Sequence, residues 1–163
     1  MHTIKELTHG QHPYAVVVSC SDSRVPPELL FDEGFGKLFV IRVAGNIVGP
    51  HELGSIEYAV KKLGTQLILV LGHTECGAVH AAIEAQDYGP NINSIVSEIA
   101  PSVLKAKEKH GGLMENAVIE NVMAVKHNIE TNPGFENLLA ESKLKVVPAV
   151  YNIETGEVTF HED

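Results

Sequence analysis

Apolar residues along the chain concentrate first in four short runs, Ala15–Ser19, Lys37–Val43, Gln66–Leu71 and Lys145–Tyr151. Each is rich in β-branched residues and bounded by turn residues, so each predicts a buried strand. A shorter run, Glu157–Phe160, follows the turn Glu154-Thr155-Gly156. That order predicts a hairpin and a fifth strand running antiparallel. Elsewhere the apolar spacing changes to three and four. In Gly54–Gly64, the residues Ile56, Ala59, Val60 and Leu63 share one helical face, with Ser55 as the cap and Gly64 as the stop. Further helices are predicted over Ala78–Ala85, Asn93–Lys109, Leu113–Glu130 and Phe135–Glu141, with His110-Gly111-Gly112 separating the two long ones. Pro101 is expected to kink or divide the first of those. Ala44-Gly45-Asn46 reads as the turn after the second strand, and Gly72–Gly77 as the loop after the third.

Strands alternating with helices predict an α/β fold: a mostly parallel four-stranded sheet with an antiparallel fifth edge strand and helices on both faces. There is no internal repeat or linker, so residues 1–163 read as a single domain with one core. In such sheets ligands bind at the carboxyl ends of the strands. Three residues with metal-binding chemistry fall there. Cys20 ends the first strand, and His73 and Cys76 follow the third.

Composition narrows the classes of function. The net charge is −9, whereas a general nucleic-acid binder needs basic surface for phosphate. Lys105, Lys107 and Lys109 read as the solvated face of a helix. No run approaches the ~18 apolar residues of a membrane span. The start, Met1-His2-Thr3-Ile4-Lys5-Glu6, lacks the apolar core of a signal peptide, so the expected location is cytoplasmic. Only two cysteines are present, which is no disulfide framework. In a reducing compartment, metal ligation or reactivity carries more weight for them than a disulfide.

Cys20, His73 and Cys76 together offer two thiolates and one imidazole. This set suits a catalytic zinc ion with a fourth position open to water. Cys76 would also sit at a helix N-terminus, which favours its thiolate. Taken alone, His73-x-x-Cys76 is equally a loop histidine beside a small buried cysteine. Asp22 and Arg24 follow the first cysteine. Asp22 could take the open metal position, or pair with Arg24 and leave that position to water; a surface salt bridge in a turn is the plainer alternative. The gap between Cys20 and Arg24 is too short for the phosphate loop of a cysteine phosphatase.

Cys20-Ser21-Asp22-Ser23-Arg24 and His73-Thr74-Glu75-Cys76-Gly77 together resemble the paired signature of beta-class carbonic anhydrases. Arg42–Asn46 and Gly54–Val60 are similar to that family too, and the likeness runs from about Gln11 to Phe160. The resemblance implies one zinc ion per chain on Cys20, His73 and Cys76, with Asp22 and Arg24 as the catalytic dyad. It implies a substrate pocket drawing on Gln11, Phe39, Tyr58 and the backbone N–H of Gly77. Without it, Gln11 reads as a surface residue, Phe39 as core and Tyr58 as helix packing.

The implied activity is reversible hydration of carbon dioxide to bicarbonate and a proton, rising toward alkaline pH. The implied assembly is a homodimer or higher homo-oligomer with active sites at the interface. Two departures stand out. Some members have a regulatory bicarbonate pocket with a tryptophan three residues before the first cysteine ligand. Here that residue is Val17, so Arg42 alone makes no such pocket, and an open site with Asp22 paired to Arg24 is expected. The segment before the first strand is also shorter than the family's N-terminal arm, whether naturally or by truncation. Most other histidines, from His2 to His161, read as surface residues. Two rival functions stand beside this one: hydrolysis of carbon disulfide or carbonyl sulfide on the same scaffold, and a zinc-containing sensor or interaction protein without turnover.

Overall fold

The β-branched runs form strands β1 (Ala15–Ser19), β2 (Leu38–Arg42), β3 (Leu67–His73), β4 (Lys145–Tyr151) and β5 (Val158–Phe160). The computed structural model describes residues 4–161; His2 and the other terminal residues lie outside the described residues. The strands make one sheet in the order β2-β1-β3-β4-β5. The first four are parallel, and β5 returns antiparallel along β4. The helices are α1 (Pro27–Leu30), α2 (Pro50–Lys62), α3 (Gly77–Glu84), α4 (Pro90–Ala106), α5 (Leu113–Glu130) and α6 (Glu136–Ala140). Among the described residues, no helix is long and apolar enough to cross a membrane.

Alternation along the strands divides the apolar residues between two clusters. Val16, Val18, Ile68, Val70 and Val146 face a large core that includes Ile56 of α2, Ile99 of α4 and Val122 of α5. Val17, Leu69, Leu71 and Ala149 face the other way, against a smaller set that includes Leu30 of α1 and Phe31. The helices are therefore shared unequally between the faces. On the thinly covered face a cleft of about 190 Å³ opens between Tyr14, Phe31, Leu67 and Phe160.

Several boundaries differ from the sequence reading. Helix α2 begins at Pro50, because Glu52 accepts the backbone N–H of Gly49 at 2.9 Å and closes the first turn. Ser55 is inside that helix, and its hydroxyl donates to the His51 carbonyl at 2.8 Å. Pro101 does not divide α4, which is one helix from Pro90 to Ala106. Strand β3 runs on through His73, since Gly72 and His73 still pair with Val150 and Tyr151. Lys105, Lys107 and Lys109 are all exposed, but α4 ends at Ala106, so only Lys105 lies on the helix, and Lys109 pairs with Glu120 of α5.

Candidate metal centre

Pairing of β1 with β3 sets Ser19 opposite Leu71, which brings the ends of both strands to one edge of the sheet. Cys20 leaves β1 there, His73 is the last residue of β3, and Cys76 is the N-cap of α3. Their ligand atoms all lie within 4.8 Å of one another. All three side chains are buried, and neither cysteine is in a disulfide. Nδ1 of His73 lies 2.8 Å from the Thr74 carbonyl, so it carries the proton and leaves Nε2 with a free lone pair. Nε2 is buried without a hydrogen-bond partner. Leaving such an atom unsatisfied costs about 1–3 kcal/mol, a cost that metal ligation removes. Two thiols and this imidazole fit zinc.

Backbone donors surround both sulfurs. Cys20 Sγ accepts from the N–H of Asp22 at 3.4 Å and of Gly45 at 3.3 Å. Cys76 is the N-cap of α3, where the backbone N–H groups of Ala78 and Val79 act to lower its pKa. The neighbouring Cys76 thiol lowers the pKa of Cys20 against the opposing effect of burial, with His73 and the backbone donors adding to it. The nearby Cys20 sulfur, followed by burial, raises that of Cys76. Burial opposes a charge on His73, but the nearby Cys20 sulfur and the Thr74 carbonyl outweigh this and raise its pKa.

Asp22 stands beside this cluster, with Oδ2 3.8 Å from His73 Nε2. Arg24 holds it in a fork: Nε donates to Oδ1 at 2.9 Å and Nη2 to Oδ2 at 2.7 Å. The Arg24 backbone N–H adds a bond to Oδ1 at 2.9 Å. The Arg24 guanidinium, more than any other group, keeps the Asp22 carboxyl well below the usual carboxylate range. Arg24 Nη2 also reaches the Glu75 carbonyl at 3.2 Å, tying the two loops together.

The profile of the carbonic anhydrase family matches residues 15–158. Carbonic anhydrase 2 of Mycobacterium tuberculosis is 36% identical over 96% of this chain and 78% of its own length. A beta-carbonic anhydrase from Coccomyxa superposes with a TM-score of 0.88 at 30% identity, over 96% of this chain and 75% of its own. The chain belongs to the beta-class carbonic anhydrases. A tetrameric beta-carbonic anhydrase from Sordaria macrospora has a TM-score of 0.89 at 26% identity, covering 99% of this chain and 87% of that one.

Against this family background, the remaining residues fall in two places. Gly77 is the first residue of α3, directly after Cys76, and nothing lies within 4 Å of where its Cβ would be. Phe39, by contrast, pairs with Val16, four positions before Cys20. At ~3.3 Å per residue that is roughly 13 Å along the sheet from the ligands. Tyr58 is 51% exposed, and its ring centroid is 6.4 Å from that of Phe39. Gln11 is exposed ahead of β1. One chain therefore does not bring Gln11, Phe39 and Tyr58 to the metal cluster.

Val17 is buried within the smaller core. Arg42 serves the metal loop instead of a pocket: Nε donates to the Cys20 carbonyl at 2.9 Å and Nη2 to the Asp22 carbonyl at 2.5 Å. The sequence reading missed this clamp, and it missed the buried Asn121, whose amide reaches the Gly45 carbonyl at 2.8 Å. The Arg42–Asn46 motif was the available signal for the first; nothing in the sequence pointed to the second.

Proposed function

We propose that this chain catalyses the reversible hydration of carbon dioxide to bicarbonate and a proton, with one zinc ion held by Cys20, His73 and Cys76. The observation that carries the reading is the convergence of two sulfurs and an unpartnered His73 Nε2 beside a carboxylate that Arg24 holds in place. Zinc, when bound, supplies a Lewis acid able to ionise water near neutral pH. Asp22, kept ionised, can only accept hydrogen bonds, so it orients the attacking water by accepting a hydrogen bond from it. Arg24 keeps that carboxylate off the metal position and aimed at the water. The N–H of Gly77, at the start of α3, faces the substrate oxygens. Loss of the proton to solvent completes the forward reaction.

Gln11, Phe39 and Tyr58 enter this account as residues supplied by a second copy of the chain, so that the working unit is a homodimer or a larger homo-oligomer. Their distance from the chain's own ligands supports that reading, as does the tetrameric relative. Free, metal-competent thiols suit a reducing compartment, and we place the reaction in the cytoplasm. The test is a comparison of hydration rates with carbon dioxide, carbonyl sulfide and carbon disulfide on zinc-loaded protein. Fast turnover of carbon dioxide is expected. Turnover of the sulfur compounds alone would give the site a different substrate.

A further inference from the structure

Asn121 lies mid-way along α5, 2% exposed, in a stretch that packs Val118 and Val122 into the core. A buried amide in such a place needs a partner. Its Nδ2 donates to the carbonyl of Gly45, a residue 76 positions away, at 2.8 Å. Gly45 in turn donates its own N–H to Cys20 Sγ. One residue thus links the helix to the sulfur, gripped at its oxygen and delivering its nitrogen.

That residue is a glycine with φ of 72°, a conformation that other residues rarely adopt. A Cβ on it would lie 2.6 Å from Ile99 Cδ1 and 3.1 Å from Ala78 Cβ. Glycine has little intrinsic preference for the φ and ψ that aim this N–H, so its surroundings must set them. The Asn46 N–H closes the turn on the Val43 carbonyl at 2.8 Å, and Asn121 fixes the Gly45 carbonyl.

We infer that Asn121 is a positioning residue for the metal centre: it holds Gly45 so that the Gly45 N–H points at the Cys20 sulfur, and so limits the negative charge this ligand gives the metal. The inference rests on Cys20 being a metal ligand, as proposed above, and not on the identity of the substrate. A hydrogen bond to a thiolate stabilises the sulfur lone pairs. Losing it lowers the energy needed to move an electron from sulfur to the metal.

The experiment loads the full chain with cobalt(II) and records its thiolate-to-cobalt charge-transfer absorption, alongside zinc affinity by chelator competition. Asn121→Leu keeps the volume and removes the donor. Its absorption should move to longer wavelength, and zinc affinity should fall about 10-fold, the lower end for an outer-shell partner. Asn121→Ser, whose hydroxyl is too short to reach Gly45, carries the same expectation should the leucine variant fail to fold. Thr65→Val is the control: it removes another buried bond to a carbonyl, that of Pro13 at 3.0 Å, before β3. It should cost stability and leave the absorption unmoved. An unshifted band in both Asn121 variants overturns this inference alone. Absence of thiolate absorption in the unmodified chain overturns the ligand set, and this inference with it.

Discussion

At the scale of single residues, the centre depends on charges held in fixed positions. Asp22 is the clearest case, because the Arg24 guanidinium favours its ionised form. The sign of the pH effect follows from that. A carboxylate with a lowered folded pKa contributes stability above the unfolded value of about 3.9, and loses it as pH falls through the folded value. In metal-free protein, the stability difference between the unmodified chain and Asp22→Asn should be constant near neutrality and shrink below about pH 4. Denaturant titrations at a series of pH values read it; a difference that grows on acidification would contradict the pairing. The grouping of Cys20 with His73 and Cys76, and of Asp22 with Arg24, was legible in the sequence because short motifs carry it. The contacts of Gly45 and Asn121 were not, because they arise only where α5 meets the turn after β2.

At the scale of elements, strands were easier to read than helix ends. Runs such as Ala15–Ser19 announce themselves, whereas the start of α2 depends on Glu52 folding back onto Gly49. Glu52→Ala should therefore destabilise the chain by about 1 kcal/mol, as loss of a cap does, measured by chemical denaturation. Gly45→Ala meets both a positive φ and the Ile99 side chain, so a cost of about 1–3 kcal/mol is expected. Shortening Ile99 to valine in the same chain should recover part of that loss; no recovery would mean that the contact is not the cause. Pro101 shows the limit of a local rule. Its ring breaks one hydrogen bond, yet the burial of Ile99, Val103 and Ala106 keeps α4 continuous.

At the scale of the whole molecule, alternation predicts the sheet but not how unevenly it is covered. Helices pack on both faces, as expected, but the larger share gathers where Val16, Val18, Ile68 and Val70 build the larger core. Distance along the sheet was also invisible in the motifs. It separates Phe39 from the ligands of its own chain and leads to a test by mixing. In the proposed site Cys20→Ser removes a zinc ligand and Phe39→Ala a pocket residue, so each variant alone should be slow. Refolded together, they should regain up to about a quarter of the normal activity if a second copy completes each site, since random pairing restores one site in half of the dimers. A rate equal to the average of the separate variants would show that each chain acts alone.

The central claim is tested most directly by stopped-flow hydration of carbon dioxide, with zinc content measured on the same samples. The unmodified chain should hold one zinc and turn over rapidly, faster toward alkaline pH. Asp22→Ala should keep the zinc and lose about 100-fold or more in rate. Stoichiometric zinc with no turnover in the unmodified chain, or an undiminished rate in Asp22→Ala, would contradict the account.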